Sequence, residues 1–238
     1  MAKQSGLNVR LYAAGYDLSG DANALSNAGY SQSLLDVTSL QDAASARIAG
    51  LSDGGLTVNA WFEAASDHAV WTSNSGKLPS NDQVVIVGLG TALGDPCIGL
   101  AAKQAAYNVT RAPGSALATV AEYQGTSGQQ TDFGLLLTTG PKQTDASATT
   151  GTSVDNSASS AGGAVAYVQV MSLGSGTAVV KVQHSSNNST WADLITFTSI
   201  TASTSERVTA SGTINRYVRI QSSGTFTNIV FVAGFVRL

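Results

Sequence analysis

"TDASATTGTSVDNSASSAGG", residues 144–163, holds one large apolar side chain, Val154, among Ser, Thr, Ala, Gly, Asp and Asn. A run this polar buries too little apolar surface to offset the entropy of ordering it, so it reads as a tether. That reading cuts the chain into a β-domain at 1–143, a linker at 144–163 and a second β-domain at 164–238.

Both outer pieces are long enough to hold a core, the second a modest one. The 238 residues are 43% hydrophobic and only 11% charged, well below the roughly one quarter usual for soluble domains. Low charge with abundant Gly, Ser, Thr and Ala suggests surface that faces other protein. Residues 1–143 carry seven Lys and Arg against eleven Asp and Glu, net −4; residues 144–238 carry five against four, net +1. Neither is the basic footprint of a nucleic-acid binder. A single cysteine, Cys97, excludes an intrachain disulfide. The opening "MAKQSGLNVRLYAAG" has no apolar core of a secretory signal, and no apolar run reaches membrane-spanning length. The expectation is a chain made in the cytoplasm, with no membrane partner.

Strand patterns dominate on both sides of 144–163. "LNVRLYAAGYDL" alternates and breaks at Gly15, where Asp17, Ser19, Gly20 and Asp21 supply a turn. "QSLLDVT", "LTVNAWFEA", "NDQVVIVGLG", "IGLAAKQAAYNVTR", "SALATVAEYQG" and "DFGLLLTTG" read as further strands. "TSLQDAASARIAG" reads as one helix, with Thr38 or Ser39 as cap, Asp42 in the first turns and Gly50 as stop. Leu40, Ala44, Arg47 and Ile48 then share a side at helical spacing. "DHAVWTS" reads as a short helical turn. After the linker, "AVAYVQVMS", "TAVVKVQHS", "ADLITFT", "ERVTAS", "RYVRIQS" and "FTNIVFVAGFVRL" read as six strands of a β-sandwich, with turns at "LGSG", "SSNN" and "SSG". The last is apolar on both faces and so central or covered. The fold class is mainly β: a two-sheet sandwich or barrel with one flanking helix, then a second β-sandwich.

Chemistry is sparse. "QVVIVGLGTALG" sets Gly88, Gly90 and Gly94 after a strand, like a dinucleotide fingerprint. The third glycine is misplaced, "DPCIG" does not start a helix, and the next acid after Asp95 is Glu122. No cofactor is expected. His68 and His184 lie in different pieces, and His68 beside Asp67 is no more than a polar neighbour. Cys97 lacks a histidine context and reads as a small hydrophobe. The acids sit singly at turns and strand ends, with no paired carboxylates and no calcium-loop spacing. No metal site and no enzyme follow. Trp191, in "SSNNSTWADL", reads as a core Trp at a strand start, with a sugar-stacking platform as the alternative.

Several phrases carry more. "LYAAGYDLSGDANALS", "LLDVTSLQDAASARIAGLSDGGLTVNAWFEAA", "KLPSNDQVVIVGLGTALGDP" and "AAKQAAYNVTR" resemble, in that order, the tail tube (major tail) proteins of long non-contractile-tailed bacteriophages. "VKVQHSSNNSTWADL" and "RYVRIQSSGTF" look like the exterior sandwich many of them append. "WFEAASDHAVWTSN" departs from the pattern in being more polar. The resemblance implies a virion protein of the tail, assembled in the host cytoplasm as stacked homohexameric rings. It also implies contact with tape measure, terminator and distal tail proteins, and DNA crossing the lumen without specific binding. Under it, Asp17, Asp21 and Glu63 are candidate lumen acids. The competing readings are a capsid decoration or adaptor protein, and a carbohydrate-binding module using Trp191.

Overall fold

The computed structural model describes residues 8–63, 77–126 and 131–238. The expected turn at "DHAVWTS", with His68, lies outside them. The described residues are all β, and their fifteen strands join in one antiparallel hydrogen-bonded network. In the first half come β1 (Arg10–Ala13), β2 (Tyr16–Asp17), β3 (Ala22–Asp36), β4 (Arg47–Trp61), β5 (Gln83–Gly88), β6 (Pro96–Thr110), β7 (Ala118–Gly125) and β8 (Asp132–Leu136). Three short strands follow: β9 (Gln143–Asp145), β10 (Thr149–Thr150) and β11 (Val154–Asp155). The chain then runs through β12 (Ala164–Ser185), β13 (Ala192–Thr196), β14 (Thr204–Ala210) and β15 (Tyr217–Arg237).

Period-two alternation sorts the apolar residues into three cores. On β5, Val85 and Val87 face a first-half core, together with Leu11, Leu56, Val58, Leu100 and Tyr123. Val84 and Ile86, on the opposite face, join Tyr12, Cys97 and Leu136. That second set meets Val165 and Tyr167 of β12 and Val232 and Val236 of β15. The alternate residues of β12 and β15, such as Val168, Val170, Phe231 and Phe235, fill a third core inside the second sandwich. Two sandwiches thus stand back to back, with a shared apolar layer between them. This explains why the last strand is apolar on both faces.

Polar groups pin the same junction. The Gln169 side chain accepts from the Gly15 amide at 2.7 Å and donates to the Val84 carbonyl at 2.6 Å. The Tyr167 hydroxyl donates to Asp132 of β8 and accepts from Arg207 Nε of β14 at 3.1 Å. The Tyr12 hydroxyl donates to the Pro141 carbonyl. The backbone closes it as well: Leu135 and Leu136 pair with Phe235 and Gly234.

Four sequence expectations change. First, there is no helix at 38–50: residues 37–46 form the loop of the β3–β4 hairpin. The residues that suggested a cap fold a turn instead. The Asp36 carboxylate accepts from the Thr38 amide at 2.9 Å, Asp42 accepts from the Ser39 amide at 2.6 Å, and Thr38 Oγ1 accepts from the Ala46 amide at 2.9 Å. Leu40 is fully exposed at 108% and Ile48 half exposed at 52%, so no sheet lies under the expected apolar stripe. A short helix without a buried face has little to hold it.

Second, the polar stretch 144–163 is a strap along β15. Asp145, Thr149 and Val154 pair with Ile229, Ser222 and Val218. The buried Asp145 carboxylate accepts from Ser222 Oγ at 2.6 Å. Composition weighs side-chain burial, whereas a strap can be held by its backbone ladder.

Third, the six expected strands of the second half are four. β12 and β15 pair along almost their whole lengths, from Ala164↔Arg237 to Ser185↔Tyr217. "LGSG" and "SSG" are bends within this ribbon. Gly176 and Gly224 take positive φ (86° and 107°), and a Cβ at either would strike the opposite backbone. Fourth, β4 starts at Arg47, well before the expected "LTVNAWFEA". The glycine-rich loop after β5 runs into strand β6, where a dinucleotide fold would need a helix.

Candidate assembly interface

The β3–β4 hairpin is bound to the molecule at one end only. Among the described residues β3 pairs with β4 and with no other strand, and β4 pairs with β7 from Gly55 to Trp61. Beyond Gly55, residues 30–53 form a two-stranded ribbon to which no other described strand pairs. Its base is fixed: Thr131 Oγ1 donates to the Gly29 carbonyl at 2.6 Å, and Tyr30 meets Phe133 edge-on with ring centroids 6.3 Å apart. Bulges at 26–29 and 32–34 twist it. Side chains tie it internally, Gln32 donating to the Gly50 carbonyl at 3.2 Å and Ser33 to that of Leu51 at 3.2 Å.

What the ribbon displays is apolar. Leu51 is 89% exposed, Leu34 64% and Tyr30 58%, with Leu35, Val37 and Leu40 beside them. An isolated two-stranded hairpin is marginal in water, and an open apolar edge is a template for pairing. A polar groove of about 610 Å³ lies at its foot, between Asn27–Ser31, Asp53–Thr57 and Glu122–Gln124. The sequence reading missed this element because the helical spacing of Leu40, Ala44 and Ile48 hid the return strand that starts at Arg47.

The candidate lumen acids are not equivalent. Asp17 sits on β2, 2.8 Å from Lys142 Nζ, and its Oδ1 accepts from the Ser19 hydroxyl at 2.6 Å. Burial pushes its carboxyl up, but Lys142 and Ser19 outweigh burial and hold it below the usual carboxylate range. Its charge is answered within the subunit. Asp21 precedes β3 and Glu63 follows β4, at the end of the hairpin where the Asp21 carbonyl accepts from the Trp61 amide at 2.9 Å and Ala22 pairs with Ala60.

Cys97 is buried against β15, and burial pushes its thiol up to about 12. His184 accepts the Asn215 amide on Nδ1 at 3.2 Å, and burial with the Arg237 charge lowers its pKa. Trp191 is half-buried on the outer face of the second sandwich, with the Arg219 guanidinium 4.0 Å from its ring centroid. Among the described residues no three His, Cys, Asp or Glu side chains cluster to hold a metal, and no helix is long and apolar enough to cross a membrane.

No family model matches the chain, and no curated protein does. Among solved structures it is similar to the Dit protein (gp 19.1) of SPP1, described as a paradigm of the hub adsorption apparatus in phages infecting Gram-positive bacteria. The identity is 11%, over 96% of this chain and 99% of that one, with a TM-score of 0.40. It is also similar to a chain of the phage p2 baseplate in its activated conformation, at 9% identity over 97% and 98%, with a TM-score of 0.34. Likeness this loose assigns no role to this chain.

Proposed function

We propose that the chain is a structural subunit of a phage tail, joining copies of itself into rings through the β3–β4 ribbon. The observation that carries this reading is the ribbon: a two-stranded element with exposed leucines, anchored at its base, whose outer edges meet no other described strand. Pairing it with the next copy removes the edges and covers the apolar side chains, and a cyclic arrangement closes the series. The tail context rests on the sequence phrases that resemble tail tube proteins. On that reading rings of six stack into a tube within the virion, assembled in the host cytoplasm, and DNA crosses the lumen. The role is mechanical and needs no catalytic group. Under the tube reading Asp17, Asp21 and Glu63 are the candidate lumen acids, and the Asp17 charge is answered by Lys142.

Negative-stain microscopy and sedimentation of the full chain test this directly. Six-fold rings or tubes are expected. Rings that never stack would move the role from tube to hub. Leu51→Glu puts a charge at an 89% exposed position; it should leave the monomer's melting temperature unchanged and abolish rings. Persistent rings in that variant would remove the ribbon from the interface.

A further inference from the structure

We propose that the outer face of the second sandwich binds a carboxylated saccharide, with Trp191 taking the sugar ring and Arg219 the acid group. The site is built from three neighbouring strands. Lys181 and Gln183 of β12, Asp193 of β13 and Arg219 of β15 all point outward, while Val180, Val182, Val218 and Ile220 between them fill the core.

These side chains form a fixed row. Lys181 Nζ meets Asp193 Oδ2 at 2.6 Å, Gln183 Nε2 donates to Asp193 Oδ1 at 2.8 Å, and Arg219 Nε donates to Gln183 Oε1 at 3.0 Å. Gln183 is only 8% exposed although it faces outward, and it lies in the row between Asp193 and Arg219. Three consequences follow from the chemistry of the row. Its one carboxylate is answered by Lys181, so the Arg219 charge has no acidic partner among the described residues. The two η nitrogens of Arg219 donate to no described group, and a guanidinium offers its donors in the planar fork that suits a carboxylate. The Arg219 guanidinium lies over one face of the indole, 4.0 Å from the ring centroid, so the C–H face of a pyranose would take the opposite face, with its hydroxyls toward the polar edge.

The rim is also set in advance. Asn187 Oδ1 accepts from the Ser189 and Thr190 amides at 3.0 and 2.9 Å, and Ser153 of the strap donates to Asn188 Oδ1 at 2.8 Å. A loop held this way loses little entropy when a ligand arrives. A nucleic acid fits less well, since backbone binding needs several free cations and among the described residues this face has one. The proposal is independent of ring formation, because the whole site lies within one chain.

The test is calorimetric titration of the full chain with tetragalacturonate and a hyaluronan tetrasaccharide, alongside neutral galactotetraose and inorganic phosphate. One of the two acidic oligomers should bind at least roughly tenfold tighter than the neutral one or phosphate. The Trp191 indole N–H resonance should shift during that titration while the other indole signals stay. Trp191→Ala and Arg219→Gln should each weaken binding about tenfold or more, and Arg219→Lys, which keeps the charge and loses the fork, should weaken it as well. Melting curves check that each variant is folded, and the indole shift needs no variant. Failure of both acidic oligomers to bind overturns the proposal. So does equal binding of galactotetraose, phosphate binding as tight as the oligomer, or a folded Trp191→Ala that binds normally.

Discussion

Asp145 and Asp155 show how single side chains hold a stretch whose composition looks unstructured. Asp145, 4% exposed, accepts from Ser222 Oγ and from Gln143 Nε2 at 3.0 Å. Asp145→Ala should cost about 1–3 kcal/mol by leaving the buried Ser222 hydroxyl short of its partner; chemical denaturation reads the loss, and protease cleavage within 146–153 should speed up. Asp155 is a surface case. The Arg216 guanidinium, at 2.7 and 2.6 Å, and the Ser157 amide hold its carboxyl down to about 2. A folded pKa below the unfolded value of about 4 gives a contribution present above that value and lost as pH falls toward 2. Arg216→Gln should move the Asp155 carboxyl titration, followed by NMR, up toward the usual range. An unmoved midpoint would mean that Arg216 does not set it. Neither residue's role was legible beforehand, because Ser222 and Arg216 lie more than sixty positions away in sequence from the acids they hold.

At the scale of elements, local pattern was a good guide where the strand it described packs against partners inside the chain. β1, β5, β7 and β8 fall within the expected stretches. The pattern misled where a segment has no tertiary partner inside the chain. In "TSLQDAASARIAG" the cap residues and the apolar spacing both favour a helix, and yet the segment is loop and strand. Spacing speaks for a helix only if a core receives the stripe, and no core lies beneath residues 37–50. The same logic explains the joined strands β12 and β15: glycines that usually punctuate here bend a ribbon whose two strands keep pairing. A direct check is Ile48→Asp. A helix over a sheet would lose several kcal/mol, whereas a half-exposed ribbon residue should change monomer stability by no more than about 0.5 kcal/mol. Urea denaturation separates the two.

For the molecule as a whole, the shared core is what the sequence concealed. Val84, Ile86 and Tyr12 read as ordinary members of alternating strands, and nothing local says that their second face meets Val165, Tyr167 and Val232. The proposed assembly surface was concealed for the opposite reason, since its exposed leucines join none of the cores among the described residues. The shared core also has a consequence for dissection. A chain ending at Gly140 would bare Tyr12, Ile86, Cys97 and Leu136 together and remove the β15 edge that pairs with β8. Residues 1–140 alone should therefore fail to give a dispersed amide spectrum and should aggregate. A well-folded, soluble fragment would show that the first sandwich does not need the second.

The place of β15 in the sheet sets an order of events during synthesis. Residues 217–237 are made after every strand they pair with, and those are β8, β9, β10, β11 and β12. Until they emerge from the ribosome, β12 can pair only with β14 at Ala164–Val170 and with β13 at Lys181–His184, and the shared layer has one wall missing. The nascent chain must therefore wait with apolar faces open, the condition in which β-rich chains are most prone to aggregate and most in need of a chaperone.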